Sequence, residues 1–142
     1  MARVLYISYD GILEPLGQSQ IIPYLNKLSH ENDIHLITYE KKPYIKSKDK
    51  LLTLRKDMKK AKVNWKMLHY HKTPSVIASI YDILVGQIYC LIIAKRMNAE
   101  IIHVRSYIPC LIALPIKWIT GAKLLFDIRG FWADERVDGG IW

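Results

Sequence analysis

Polar side chains that could hold a charged or hydroxyl-rich ligand are concentrated in three short segments of this 142-residue chain. Guanidinium groups bind phosphate through two parallel hydrogen bonds, and carboxylates accept hydrogen bonds from sugar hydroxyls. These residue types therefore predict a site for a phosphorylated or sugar ligand. The candidate ligand-binding residues are Asp10, His103, Arg105, Ser106, Arg129, Asp134 and Glu135.

The first segment, 9–20, ends with a glycine just before a predicted helix. Gly17, followed by Gln18, could let backbone N–H groups approach an anion at the positive end of that helix. The segment contains neither the G-x-G-x-x-G fingerprint of dinucleotide sites nor a Walker loop. Two interpretations stay open, an anion-binding loop and an ordinary turn.

The second and third segments each allow a functional and a structural interpretation. His103 and Arg105 are two residues apart in a predicted strand and therefore point to the same face. They form either a ligand-facing pair or a hydrogen-bonded core histidine beside an exposed arginine. The third segment, 126–136, holds two arginines and three carboxylates, which form either a ligand site or a structural salt-bridge cluster.

Predicted strands and helices alternate along the chain and must position these segments. Each strand is a short, mostly apolar run, which is typical of a parallel sheet covered by helices on both faces. We predict one open, doubly wound, Rossmann-like α/β domain, in which ligands bind beyond the carboxyl ends of the strands. The predicted strands are 3–8, 33–39, 63–70, 100–104 and 122–128, and the predicted helices are 18–29, 47–61, 75–97 and 108–120.

One apolar run, 76–94, is close to the length that spans a bilayer. It contains Asp82, Gly86 and Gln87, and a carboxylate near the middle of a bilayer costs a few kcal/mol. We therefore predict a helix that the rest of the domain buries on most sides.

The net charge of +8 comes from one segment, because residues 41–72 hold 12 of the 21 basic and 2 of the 13 acidic side chains. The helix predicted there could place Lys48, Lys56, Lys59 and Lys60 against an anionic membrane. The alternative is a solvated lysine-rich face. Nucleic acid is not an expected partner, since the segment lacks interleaved aromatic residues and any known nucleic-acid module.

Cys90 and Cys110 lie in apolar runs without other metal ligands at suitable spacing. We expect two reduced thiols and no metal site. The N-terminus lacks the long apolar core and cleavage site of a signal peptide. The expected location is the cytoplasm, either free in solution or peripheral at the inner face of the membrane.

The order of elements and two motifs resemble the N-terminal domain of family 4 retaining glycosyltransferases, which have the GT-B fold. The motifs are Ile-Ile-His-Val-Arg-Ser at 101–106 and Phe-Asp-Ile-Arg-Gly-Phe-Trp-Ala-Asp-Glu at 126–135. The resemblance covers the whole chain. It implies transfer of a sugar from a nucleotide-sugar donor to a glycan or lipid-linked acceptor. The N-terminal domain would hold the acceptor, and a C-terminal domain would hold the nucleotide and supply paired glutamates.

The resemblance also implies roles for single residues. Gly17 matches the second glycine of the family's donor-phosphate loop, although Leu16 replaces the first. His103 matches the first histidine of a His-x-His pattern, and Arg105 replaces the second.

Arg129 occupies the place of a family histidine near the reacting sugar, as in an Arg-Asp-x-Trp branch whose aspartate is Gly130 here. An arginine stays charged and transfers protons poorly. It could still stabilise charge or orient the acceptor, so the catalytic residue stays unknown.

A GT-B active site lies in the cleft between two domains. The resemblance therefore implies that residues 1–142 form only the acceptor-side domain, and that the nucleotide-sugar domain is absent from this chain. We expect no sugar transfer by the chain alone, and a metal-independent reaction with no cofactor besides the nucleotide-sugar donor. The alternative is a stand-alone α/β module that binds a phosphorylated or sugar ligand without catalysis.

Overall fold

A computed structural model of the chain describes residues 1–128 and 137–140. Strands and helices alternate as the sequence predicts. The strands are β1 (Ala2–Ser8), β2 (Asn32–Glu40), β3 (Val63–His69), β4 (Ile101–Arg105) and β5 (Lys123–Asp127). The helices are α1 (Pro15–Gln20), α2 (Ile22–Leu28), α3 (Lys42–Ile45), α4 (Lys48–Lys60), α5 (Ser75–Met97) and α6 (Tyr107–Thr120).

The five strands form one parallel sheet with the order β3-β2-β1-β4-β5. Strand β1 pairs with β2 on one side and with β4 on the other. The strand order therefore reverses between β1 and β4, and this switch opens a crevice at the carboxyl ends of both strands. The prediction of an open, doubly wound α/β sheet is confirmed.

Helices cover both faces of the sheet, which explains the continuous apolar runs of its central strands. In β1, Leu5 and Ile7 belong to the core beneath α5 and α6. Tyr6 belongs to the opposite core, which includes Leu25 of α2 and Met58 of α4. Helix α4 therefore packs with its apolar side on the sheet, in the layer opposite α5.

Two helical details differ from the predictions. The helix predicted at 18–29 is two helices, because Pro15 begins α1 and Pro23 lies in the first turn of α2. Proline is favoured at these positions, where its missing N–H would have no helical partner. The short helix α3, which has Pro43 as its second residue, was not predicted. Helix α6 ends at Gly121 with a φ of 73°, as the sequence predicts.

Helix α5 has the predicted bounds but not the predicted burial. Every fourth residue, beginning with Ala78, is small or short and buried against the sheet. The opposite side carries large apolar residues that are exposed, so the expectation of burial on most sides is wrong. Hydropathy could not predict this arrangement, because both sides of the helix are apolar. The buried residues are Ala78, Asp82, Gly86, Cys90 and Ala94, and the exposed ridge is Val76, Ile80, Leu84, Ile88 and Ile92.

Candidate ligand-binding site at the carboxyl edge of the sheet

A buried polar cluster lies at the switch between β1 and β4. Tyr6 and His103 are register partners in neighbouring strands, as are Arg105 and Asp127. The Asp127 Oδ2 atom lies 3.9 Å from Nε2 of His103 and 3.7 Å from Nη1 of Arg105. His103 and Arg105 share one face, as predicted. The alternative with an exposed arginine is wrong, because only 9% of Arg105 is accessible.

Arg105 contacts Gln20 and Asp127 and keeps one further donor without a hydrogen bond. Its Nη2 atom donates a hydrogen bond to Oε1 of Gln20 in α1. Its buried Nε atom makes no well-formed hydrogen bond within 1–128 and 137–140. The buried hydroxyl of Tyr6 interacts with the Arg105 guanidinium, which opposes the increase in the pKa of Tyr6 that burial causes. A buried donor left unsatisfied costs about 1–3 kcal/mol, which a bound oxygen-rich ligand would recover.

The environment of His103 favours the neutral form of its imidazole. Burial lowers the pKa of His103, and the charge of Arg105 acts in the same direction against the opposing charge of Asp127. Its ring lies 4.5 Å from that of Tyr6 and 5.8 Å from that of Tyr24, measured between centroids. A neutral imidazole has one donor and one acceptor nitrogen, which suits a sugar hydroxyl.

Ser106 connects β4 to α6 through a strained backbone. Its φ is 76° and its ψ is −177°, a combination that essentially only glycine adopts without strain. Its N–H donates to the backbone oxygen of Asp127 at a distance of 3.1 Å. Strain of this kind accumulates where geometry serves a ligand, and Ser106 stands between the polar cluster and α6.

We predict that Ser106→Gly raises the free energy of unfolding by about 1 kcal/mol, because glycine adopts this backbone without strain. Urea denaturation followed by circular dichroism measures the change. The control is Ser19→Gly in the exposed part of α1, which is expected to destabilise the protein because glycine is a poor helix former. A loss of stability in Ser106→Gly would contradict the prediction.

The loop after β1 is held in place by hydrogen bonds to a buried side chain of β2. Glu40, at the end of β2, accepts hydrogen bonds from the backbone N–H groups of Ile12 at 2.9 Å and Leu13 at 3.2 Å. It also accepts one from the Thr38 hydroxyl at 2.7 Å, which in turn accepts one from Trp65 Nε1 at 2.8 Å. The conformation of the loop is thus determined by a buried carboxylate rather than by glycines alone.

Gly17 and Gln18 also contact the loop after β1. Gly17 is buried in α1, and a Cβ atom there would lie 2.1 Å from the backbone oxygen of Gly11. The side-chain amide of Gln18 donates to the backbone oxygen of Leu13 at 3.3 Å. Close packing therefore explains the glycine, and contact of either residue with a donor phosphate stays a prediction.

We predict that the stability supplied by Glu40 falls as the pH rises. Burial raises the pKa of Glu40, although its three hydrogen-bond donors oppose the shift. The contribution is therefore complete below the unfolded pKa of about 4.3 and is lost as the pH rises through the folded pKa. Denaturation of wild type and Glu40→Gln over this range measures it. We expect the difference in unfolding free energy to shrink with pH, and a difference that grows would contradict the assignment.

A second polar cluster, which the sequence analysis missed, joins the loop after β3 to α5. Asp82 is 1% exposed. Its Oδ2 atom accepts from the Tyr9 hydroxyl at 2.9 Å and from the backbone N–H of His71 at 3.0 Å. Its Oδ1 atom lies 2.6 Å from Nδ1 of His71. A carboxylate inside an apolar helix requires such partners. The position of Asp82 within an apolar run was therefore the feature of the sequence that could have predicted this cluster.

The same region contains a cationic cavity of about 530 Å³ next to His71. Lys41, one of its lining residues, also forms an ion pair with Glu14, with 3.0 Å between Nζ and Oε2. Asp10, in the loop after β1, contributes with Glu14 to raising the pKa of Lys41 against the effect of burial. Asp10 is therefore electrostatically coupled to Lys41, which directly follows β2. The lining residues are Lys41, Lys42, Pro43, Tyr70, His71, Lys72 and Thr73.

Two further groups of residues were predicted from the sequence. Arg129, Asp134 and Glu135 fall outside the described residues. The lysines predicted to face a membrane are exposed on α4, on the side of the sheet opposite α5, and their contact with a membrane stays a prediction. These lysines are Lys48, Lys56, Lys59 and Lys60.

Comparison with known proteins gives structural but not sequence matches. No protein-family model matches the chain, and no curated protein matches its sequence. The C-terminal domain of a hydrogenase from Pyrococcus furiosus is similar, with a TM-score of 0.63 and 11% identity over 89% of this chain and 90% of that domain.

A glycosyltransferase from Rickettsia africae is also similar, with a TM-score of 0.54 and 20% identity over 88% of this chain. The match spans 29% of the glycosyltransferase chain. At these identities both neighbours establish the fold, a parallel α/β sheet that is shared with a glycosyltransferase and with a hydrogenase domain.

Proposed function

We propose that this chain is the acceptor-side domain of a glycosyltransferase. The enzyme would belong to family 4 with a GT-B fold, and would move a sugar from a nucleotide-sugar donor to a glycan or lipid-linked acceptor. The observation that carries the proposal is the cluster of buried His103 and Arg105 with partly exposed Asp127 beside the strand-order switch. The motif resemblance at 101–106 and 126–135 and the structural likeness to a glycosyltransferase support it.

The chemistry of the cluster suits an acceptor sugar. The unused Nε–H of Arg105 would donate to an acceptor oxygen. The carboxylate of Asp127, whose side chain is 39% exposed, would accept from a sugar hydroxyl. The neutral imidazole of His103 would do either. Asp10 and Ser106, at the ends of β1 and β4, would complete the acceptor side together with Arg129, Asp134 and Glu135.

The rest of the enzyme would come from a second domain. That domain would bind the nucleotide-sugar, with Gly17 and Gln18 contributing backbone near the donor phosphates. No metal and no cofactor other than the donor substrate would be required. The proposed site of action is the cytoplasmic face of the membrane, where lipid-linked acceptors are available.

A binding experiment tests the acceptor role of the cluster. The purified chain is titrated with a panel of disaccharides and sugar phosphates, and amide chemical shifts are followed by NMR. We expect shifts at the ends of β1, β4 and β5. Arg105→Met should weaken binding about tenfold or more, because it removes a hydrogen bond from a charged donor. Arg55→Met, at an exposed arginine over the Trp65 ring, is the matched control and should bind normally.

Two outcomes would contradict the proposal. Saturable sugar binding that maps to another surface and ignores Arg105→Met would remove the acceptor role. Robust transfer of labelled sugar from a nucleotide-sugar by this chain alone would show that no second domain is needed. The reading frame beyond Trp142 separates the alternatives, since paired glutamates in further strand–helix units favour the transferase and an immediate stop favours a stand-alone binding module.

A further inference from the structure

We propose that the outward side of α5, continued by α6, docks the domain onto the surface of an anionic lipid bilayer. The inference rests on exposure and charge and does not depend on sugar transfer. We call this surface the α5 face. It consists of Val76, Ile77, Ile80, Tyr81, Leu84, Ile88, Tyr89 and Ile92 of α5, with Leu111 and Trp118 of α6.

The α5 face is a continuous apolar ridge, not a scatter of single residues. Val76, Ile80, Leu84, Ile88 and Ile92 follow one another at intervals of four, so they form an i, i+4 ridge that is inclined to the helix axis. Each is between 44% and 70% exposed. Single exposed apolar residues are common on soluble proteins, but contiguous patches of this kind mark interaction sites.

Helix α6 widens the ridge and adds a tryptophan. The side-chain amide of Gln87 in α5 donates to the backbone oxygen of Leu111 at 3.2 Å, so the two helices lie side by side there. Leu111 is 52% exposed and Trp118, seven residues later on the same side, is 76% exposed. Tryptophan and tyrosine favour the boundary between water and lipid. The face carries Trp118, Tyr81 and Tyr89, whereas α4 carries no aromatic residue.

Positive charge surrounds the ridge. At one side, Nζ of Lys66 in β3 lies 5.7 Å from the centre of the Tyr89 ring. At the start of α5, the Tyr81 ring contacts the ring of His71, which lines the cationic cavity with Lys72. At its end, Lys95 and Arg96 are exposed. The acidic residue of α5 is Asp82, and it is buried.

An apolar ridge with positive charge around it favours an anionic lipid surface as its partner. Apolar side chains bordered by lysines are what a peripheral protein presents to anionic lipid. A second copy of the chain is disfavoured, because a two-fold interface would bring like charges face to face around the ridge.

A spanning orientation does not fit the fold. Helix α5 is long and apolar enough to cross a membrane by length and composition. Its other side, however, belongs to the core, where Gly86 and Cys90 are buried and Asp82 bonds Tyr9 and His71. Crossing the bilayer would break these contacts, so α5 would lie along the surface. Since α4 is in the opposite layer, its lysines would face away from this membrane.

Co-sedimentation with vesicles tests the proposal with a matched pair of variants. Leu84 in α5 is 54% exposed and Leu52 in α4 is 56% exposed, so Leu84→Glu and Leu52→Glu make the same change on opposite layers. The vesicles are phosphatidylcholine alone and phosphatidylcholine mixed with phosphatidylserine. We expect the wild type to bind the mixed vesicles. Leu84→Glu should lower the partition coefficient about tenfold or more, the value of one buried leucine, and Leu52→Glu should leave it unchanged.

Three results would overturn the proposal. The first is no binding to mixed vesicles, and the second is binding that the two variants weaken equally. The third is a wild-type dimer in size-exclusion chromatography that Leu84→Glu converts to a monomer, which would assign the face to a second copy. Circular dichroism confirms that each variant is folded. A variant with Lys56, Lys59 and Lys60 changed to Gln should bind the mixed vesicles normally. If this variant does not bind, the membrane contact is made by α4 and not by the α5 face.

Discussion

Replacing Asp82 with alanine is expected to lower the free energy of unfolding by about 3 kcal/mol. The carboxylate is 1% exposed and accepts hydrogen bonds from Tyr9 and from the backbone and ring of His71. Removing it leaves these donors without their acceptor and detaches the loop after β3 from α5. Urea denaturation followed by circular dichroism measures the loss.

Two comparison variants make the prediction specific. In Asp82→Asn the amide oxygen can still accept from Tyr9 and the His71 backbone, while the amide nitrogen faces Nδ1 of His71. We therefore expect a smaller loss of stability than in Asp82→Ala. Asp57→Ala, on the exposed side of α4, should change stability by no more than about 0.5 kcal/mol. A similarly small effect of Asp82→Ala would show that the cluster contributes little.

Replacing Gly17 with alanine is expected to lower the free energy of unfolding by about 2–3 kcal/mol. The added Cβ would lie 2.1 Å from the backbone oxygen of Gly11 and 2.7 Å from Cα of Ile12. Because backbone atoms cannot swing aside as a side chain can, α1 would have to move away from the loop that Glu40 holds.

The sign of the Gly17→Ala effect is the decisive result. Helix propensity alone predicts that alanine stabilises a helix by about 1 kcal/mol relative to glycine, so a stabilised variant would contradict the packing explanation. Gly121→Ala separates close packing from backbone strain. Gly121 has a φ of 73° but no atom within 4 Å of its added Cβ, so its cost should be only about 1 kcal/mol.

The sheet could be predicted from the sequence because its central strands are continuous apolar runs, which is typical of strands that are buried on both faces. Strand β1 is apolar on both faces, and α5 follows the predicted bounds of 75–97. The helix at 18–29 was predicted without its break, since Pro23 fits the first turn of a new helix as well as that of a longer one. The burial of α5 was predicted wrongly, because an apolar residue can pack inward or remain exposed with the same hydropathy.

The site was predictable only where two residues share one strand. Strand alternation places His103 and Arg105 on one face, and the structure confirms it. The partnership of Asp82 with Tyr9 depends on how α5 lies over the sheet, and residues far apart in sequence carry no local signal of that contact. The burial of Arg105 likewise depends on α1, which supplies Gln20.

The position of β1 has a consequence for how the chain is made. Of the five strands, the central one, β1, is synthesised first, and it pairs through Val4–Ser8 with Ile101–Arg105 of β4. Synthesis at about 5–20 residues per second delays that partner by about 5–20 seconds. During this interval one side of β1 keeps its backbone donors and acceptors open. The sheet can therefore be completed around β1 only after Ile101–Arg105 have left the ribosome.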